Sequence, residues 1–276
     1  MPKIALLQMT SGIDPEANFA AIADAMRAAA GEGAAMLFTP EMSLLLDRDR
    51  ARAAPHIVSQ ARSPFVPRFA ALARETGVTL ALGSMAVAGD DAPDARNANR
   101  AMVFAPPAEV PVTYDKIHMF DVDLADGESW RESNAYRAGR AVVTIDNTPV
   151  GRLGLTVCYD IRFPALFAEL GNRCCDAIAV PAAFTRPTGA AHWHVLLRAR
   201  AIEAQAFVIA AAQVGHHDDG RETFGHSLVV DPWGEVLLDM GGTDAGLGFC
   251  EIDLGRIEKT RKQVPALANR RAIANS

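Results

Sequence analysis

The sequence predicts an α/β fold whose strands form two sheets, or one large sheet folded on itself. Three observations lead there. Short apolar, β-rich runs alternate with Ala-rich helical patterns almost from end to end of the 276 residues. Strands outnumber long helices, at about ten or more against about four, and a strongly twisted open sheet rarely exceeds about ten strands. The internal strands read as continuously apolar, so both of their faces are covered. No Ser/Gly-rich or Pro-rich linker divides the chain, and residues 1–276 are read as one domain.

Taken in order, "KIALLQM" is the first strand. "EANFAAIADAMRAAAGEG" is a helix with Phe19, Ile22, Ala23 and Met26 on one face, closed by Gly31 and Gly33. "AAMLFTPE" is a strand stopped by Pro40, "FVPRFAALARETG" a helix, and "TLALGSMAV" and "RAMVFAP" are strands. The second half repeats the layout with "AVVTID", "RLGLTVC", a helix from Pro164, "DAIAVPAAF" and a helix around "HWHVLLRARAIEAQ". Strands "FVIAAAQV", "GHSLVVDPWG" and "GLGFCEID" complete it. Asp90 to Asn99 and His216 to Glu222 are polar, turn-rich runs and read as solvated connections.

Composition excludes several classes of function. A formal net charge of -6, with Lys and Arg scattered along the chain, leaves no electrostatic footprint for nucleic acid. No apolar run approaches the roughly 18 residues of a membrane span, and Met1 to Met9 carries Lys3 and Gln8 without a signal-peptide core, so a cytoplasmic protein is expected. Cys158, Cys174, Cys175 and Cys250 have the spacing of neither a disulfide framework nor a zinc ribbon, and read as free thiols.

In α/β sheets, functional groups gather beyond the carboxyl ends of strands. "AAMLFTPE" delivers Glu41 there and "GRLGLTVC" delivers Cys158. A carboxylate and a thiol meeting across a cleft make a base and a nucleophile. Pro164 suits the first turn of the following helix and leaves the Tyr159 to Phe163 turn with N–H groups directed back at the sulfur, where they favour a thiolate and form part of an oxyanion hole. A buried structural cysteine is the competing account. Lys116 in "VPVTYDKIHMFDVD" lies between two short extended runs, where a buried ammonium would be costly without a purpose.

"FTPE" with Glu41, "YDKIHMFDVD" with Lys116 and "GLTVCYDIRFPALF" with Cys158, in that order, resemble the three signature blocks of the nitrilase-superfamily carbon–nitrogen hydrolases. The resemblance covers nearly the whole chain and implies a four-layer αββα sandwich. It implies Glu41 as general base, Lys116 as oxyanion stabiliser and Cys158 as the nucleophile that forms a thioester, with no cofactor. It also implies a second glutamate supporting the lysine, for which "ESWRESNAYRAG" offers Glu132, leaving Glu128 as a solvated acid. The C-terminal half, through "LLRARAIEAQ" and "AAAQVGHH", resembles the Nit branch, which cleaves amides of 2-oxo acids, and within it the deaminated-glutathione amidases more than the ω-amidases. Two positions depart from that branch, His194 and Ala165, each usually Glu.

Such a substrate is an anion, so cationic and polar groups should surround an apolar pocket. Arg162 and Arg186 are the cationic candidates, each equally suited to a structural ion pair. Phe184 and Thr185 are candidates for the acyl pocket, the Tyr159 backbone N–H for holding the substrate's oxyanion, and His192, at the start of the later helix, for substrate placement. A metal is not expected, because an i,i+2 histidine pair on a helix points to different faces and His216–His217 sit in a polar loop. The resemblance further implies a homodimer through the helix after Cys158 and the "HWHVLLRARAIEAQ" helix, where Val195, Leu196, Ala199 and Ile202 make one apolar stripe.

Overall fold

The computed structural model describes residues 1–89, 96–123, 127 and 129–271. The first half runs β1 (Lys3–Gln8), α1 (Pro15–Gly31), β2 (Met36–Phe38), the short α2 (Arg50–Ala53), α3 (Phe65–Thr76), β3 (Thr79–Val87), β4 (Ala98–Phe104) and β5 (Val112–Asp115). A two-stranded ribbon, β6 (Asp121–Asp123) and β7 (Ser129–Arg131), leads to β8 (Thr144–Thr148), β9 (Gly151–Leu155), α4 (Pro164–Asn172), β10 (Ala177–Ala179) and α5 (Arg186–Ala204). The chain closes with β11 (Phe207–Ala210), the ribbon β12 (Val214–His216) and β13 (Glu222–Phe224), β14 (Leu228–Val230), β15 (Val236–Asp239), β16 (Gly246–Glu251) and α6 (Gly255–Gln263).

Of the two layouts the strand count allowed, the chain adopts two six-stranded sheets, ordered β16-β1-β2-β3-β4-β5 and β15-β14-β11-β10-β9-β8. Each has three parallel strands at its centre, β1–β3 and β9–β11, flanked by antiparallel ones. Period-two alternation assigns the faces. Ile4, Leu6, Met36, Phe38, Ala101 and Val103 point into the core shared with the second sheet. Their neighbours Ala5, Leu7, Leu37, Met102 and Phe104 point the other way, to α1 and α3. Leu166, Phe167, Trp193 and Leu197 of α4 and α5 cover the second sheet. The result is a four-layer αββα sandwich.

Local chemistry sets the helix bounds. Asp14 caps α1, accepting the Glu16 N–H at 2.9 Å, and α3 ends on Gly77 in the left-handed region at φ 69°. Phe19 of α1 meets Phe69 of α3 with ring centres 4.9 Å apart. Three readings are corrected. The strand read from "AVVTID" begins only at Thr144, and α6 had no counterpart in the sequence reading. The run Asp90 to Asn99 is not all loop: residues 90–95 lie outside the described residues, but Ala98 and Asn99 open β4 and are buried. All four cysteines are free thiols, as expected.

Candidate active site

Four groups converge where the parallel strands end. Glu41 follows β2, Cys158 follows β9, Lys116 follows β5, and Glu132 is delivered by the turn after the β6–β7 ribbon. The segment carrying Glu41 is held rigidly. It crosses Gly83 so closely that a Cβ there would stand 2.1 Å from the Thr39 carbonyl oxygen and 2.3 Å from that of Pro40. Thr39 Oγ1 accepts the Gly83 N–H at 3.0 Å, and Gln213 Nε2 donates to the Glu41 carbonyl at 3.0 Å.

Cys158 opens a tight helical turn, Cys158–Arg162, with its own backbone in the left-handed region at φ 48°. That conformation is strained for a residue with a Cβ, and neighbouring bonds maintain it. The Cys158 N–H donates to the Pro181 carbonyl at 2.8 Å. The buried carboxylate of Asp160 accepts the Val157 N–H at 2.9 Å, the His118 N–H at 3.0 Å and the Tyr114 hydroxyl at 2.6 Å, with His118 Nδ1 at 2.7 Å. One acid therefore ties the Cys158 turn to the segment carrying Lys116. Proline at position 164 begins α4, as its fixed φ favours.

Lys116 is 1% exposed. Its Nζ lies 2.9 Å from Glu41 Oε1 and 2.8 and 3.0 Å from the two oxygens of Glu132. Asn99 Nδ2 donates to both acids, at 2.9 and 3.1 Å, the Ala183 N–H binds Glu41 Oε2 at 3.1 Å, and the Phe120 N–H binds Glu132 Oε2 at 2.6 Å. Burial alone would raise the Glu41 pKa, but the charge and hydrogen bond of Lys116, with bonds from Cys158 and Asn99, hold it below the usual range. Burial would discharge Lys116, but Glu132 and Glu41 keep it firmly protonated.

Burial, and then the negative charge of Glu41, push Cys158 well above an ordinary cysteine despite Lys116. Both the desolvation and the neighbouring carboxylate favour the thiol form, against the pull of the turn's N–H groups toward a thiolate.

The cluster forms the floor of a cleft of about 1200 Å³. Tyr159, Phe184 and Thr185 line it, as read from the sequence. Arg162, Arg186 and His192, also read as substrate-binding candidates, are not among its lining residues. Arg162 packs its guanidinium behind the Tyr159 and Phe184 rings, 5.8 and 5.4 Å from their centres, and meets His192 Nδ1 at 3.2 Å. Arg186 is the first residue of α5 and pairs with Glu222. His192 lies within α5 on an exposed face, because that helix begins six residues earlier than the sequence reading placed it. The cationic lining comes instead from Arg48, Arg50, Arg96, Arg131 and Arg221. Trp130 lies between Arg48 and Arg221, whose guanidiniums are 5.5 and 5.3 Å from its ring. Asn99 and Arg221 both came from runs read as solvated loop. Glu128 lies outside the described residues.

The fold and this cluster define the class, an αββα-sandwich hydrolase. The chain belongs to the carbon–nitrogen hydrolase family, whose model matches residues 3–262. Among its relatives, the deaminated glutathione amidase of Yersinia enterocolitica is 39% identical over 273 residues, covering 99% of this chain and 94% of that one. The human protein of the same name is 38% identical, covering 98% and 83%. Of solved structures, the Caenorhabditis elegans NitFhit protein superposes with a TM-score of 0.87 at 35% identity, over 98% of this chain and 65% of that one, so this chain spans less than two thirds of NitFhit. Saccharomyces cerevisiae Nit3, of branch 10 of the nitrilase superfamily, gives 0.82 at 26% identity, over 96% and 94%.

Proposed function

We propose that this enzyme hydrolyses the amide of an anionic 2-oxo acid, with deaminated glutathione as its substrate and 2-oxoglutarate and Cys-Gly as products, a metabolite-repair reaction. The observation that carries the reading is the buried Lys116 bridging Glu41 and Glu132 beside Cys158, at the floor of a cleft rimmed by arginines. The names and extent of the relatives support the choice of substrate.

The chemistry follows from the protonation states. Glu41 takes the Cys158 proton as sulfur attacks the carbonyl, so the negative charge passes from the Glu41 carboxylate to the carbonyl oxygen as the C–S bond forms. Lys116 and the Tyr159 N–H hold the oxyanion, and Glu132 keeps the ammonium aimed without competing for the proton. Glu41 then delivers the proton to the leaving nitrogen, leaving a thioester. Water gives a proton to Glu41 as it attacks, and that proton returns to sulfur when the acid departs. The arginine rim takes the substrate's carboxylates. Residues 1–276 act as one domain without a cofactor, in the cytoplasm, as a homodimer formed through α4 and α5. Exposed Val195 and Ile202 on α5 support that surface. Among the described residues no helix is long and apolar enough to cross a membrane.

Product analysis with deaminated glutathione and, separately, 2-oxoglutaramate tests the reading. Cys-Gly release that needs Cys158 and strongly exceeds ammonia release from 2-oxoglutaramate is the expected result, and the reverse ranking overturns the substrate. A fractionation that recovers the protein outside the cytosol, or sedimentation showing a monomer at micromolar concentration, removes those two statements.

A further inference from the structure

A second convergent cluster lies where α5 meets the β14–β15 hairpin. Asp239 closes β15 opposite Leu228, two residues beyond His226. His194 reaches the same carboxylate from α5, Nε2 to Oδ2 at 3.0 Å, while His226 Nδ1 lies 2.9 and 3.2 Å from the two oxygens. The three ligand atoms all fall within 4.8 Å of one another, and none of these residues lines the cleft. We propose that His194, His226 and Asp239 form a binding site for a late first-row divalent cation of the Zn²⁺ type, clamping α5 to the β14–β15 hairpin.

The donor set is two imidazole nitrogens and a carboxylate oxygen, which suits Zn²⁺ at bond lengths of about 2.0–2.2 Å, with water completing a tetrahedron. Ligand atoms around such an ion stand roughly 3.3–3.5 Å apart by that geometry, so only a small opening of the present contacts is needed. The surroundings hold the ligands in place. Asp239 Oδ1 accepts the Gly241 N–H at 2.9 Å, and the His226 N–H donates to the Gly241 carbonyl at 2.8 Å. His226 sits at φ 55° with its ring stacked on Phe224 at 4.5 Å, and the His194 ring meets it edge-on at 5.0 Å. All three side chains are partly open to solvent, which gives an ion access. The His226 carbonyl accepts the Trp193 indole N–H at 2.8 Å, and Trp193 packs on Phe184 of the cleft wall at 4.7 Å, so the clamp also steadies that wall. Histidines compared within one helix or one loop do not reveal this site, because its ligands come from three separate elements.

Calorimetric titration of the chelator-treated full chain with Zn²⁺, paired with Co²⁺ absorption spectra, tests the proposal. One Zn²⁺ per chain is expected in the wild type and equally in Cys158→Ser, with affinity at least about tenfold weaker in both His194→Gln and Asp239→Asn. The Co²⁺ form should show d–d bands without thiolate charge transfer. Zn²⁺ should raise the wild-type Tm and leave that of His194→Gln unmoved. Circular dichroism checks that both variants are folded, and Asp239→Asn decides alone if His194→Gln is not. The absence of saturable binding, binding unchanged in the folded variants, or binding lost in Cys158→Ser overturns the proposal.

Discussion

Replacing Lys116 with Met should turn a neutralised cluster into two buried carboxylates facing each other. Glu41 and Glu132 are each within about 3 Å of the same Nζ, and Lys116 has 1% of its surface exposed. At about 4 Å and an effective dielectric near 20, two like charges repel by roughly 4 kcal/mol. Removing one partner of a buried pair costs about 3–5 kcal/mol. A proton bound by one carboxylate relieves part of this, and that sets the sign of the pH dependence. In the wild type Glu41 is held below its ordinary range, so its stabilisation is present above the unfolded pKa and is lost only as pH falls through the folded value. In Lys116→Met the paired carboxyl is raised, so its stabilisation is present at acid pH and is lost as pH rises through the folded value. The stability deficit should therefore grow between pH 5 and pH 8, by up to about 1.4 kcal/mol per pH unit. Urea denaturation of both proteins across that range measures it. A deficit below about 1 kcal/mol at pH 7, or one that shrinks toward pH 8, would refute the charge accounting. Loss of amide hydrolysis by at least about 10²-fold should accompany it, since the oxyanion loses its cation.

Further outcomes follow from the same geometry. In Glu41→Gln the thiol loses its base, so acyl-enzyme formation should slow by roughly 10²–10⁴-fold and climb with pH as hydroxide takes over, read by single-turnover mass spectrometry. Asp160→Ala leaves two buried donors, the Val157 N–H and the Tyr114 hydroxyl, without their acceptor at about 1–3 kcal/mol each, along with the part-buried contacts of His118, and should lower the denaturation midpoint strongly even though Asp160 is no part of the proposed chemistry. Arg48→Ala combined with Arg221→Ala should raise KM for an anionic amide roughly 10- to 100-fold, the equivalent of about 1.5–3 kcal/mol, while hydrolysis of a neutral amide changes little. Gly83→Ala forces the Thr39–Pro40 backbone away and should cost both stability and activity, measured by Tm and kcat together.

Much of this protein is written locally, and local statements survive folding. The alternation of strands and helices, the strand ends at Glu41 and Cys158, and the lysine between two extended runs all depend on neighbours within a few residues. Arg162 packs against the Tyr159 and Phe184 rings, Arg186 pairs with Glu222, and His192 is carried to an exposed face by a helix that starts six residues before it. Asn99 and Arg221 sat in polar runs, and a polar run looks solvated until distant chain covers it. Asn99 meets Glu41 across 58 positions and Lys116 meets it across 75. By itself the sequence determined most of the elements, the family, and the three side chains proposed here to react. Tertiary structure alone decided that burial and Glu41 push the thiol's pKa up, which arginines face the cleft, and that His194, His226 and Asp239 converge. Burial and electrostatic fields are set by groups far apart in the chain, and no local pattern contains them.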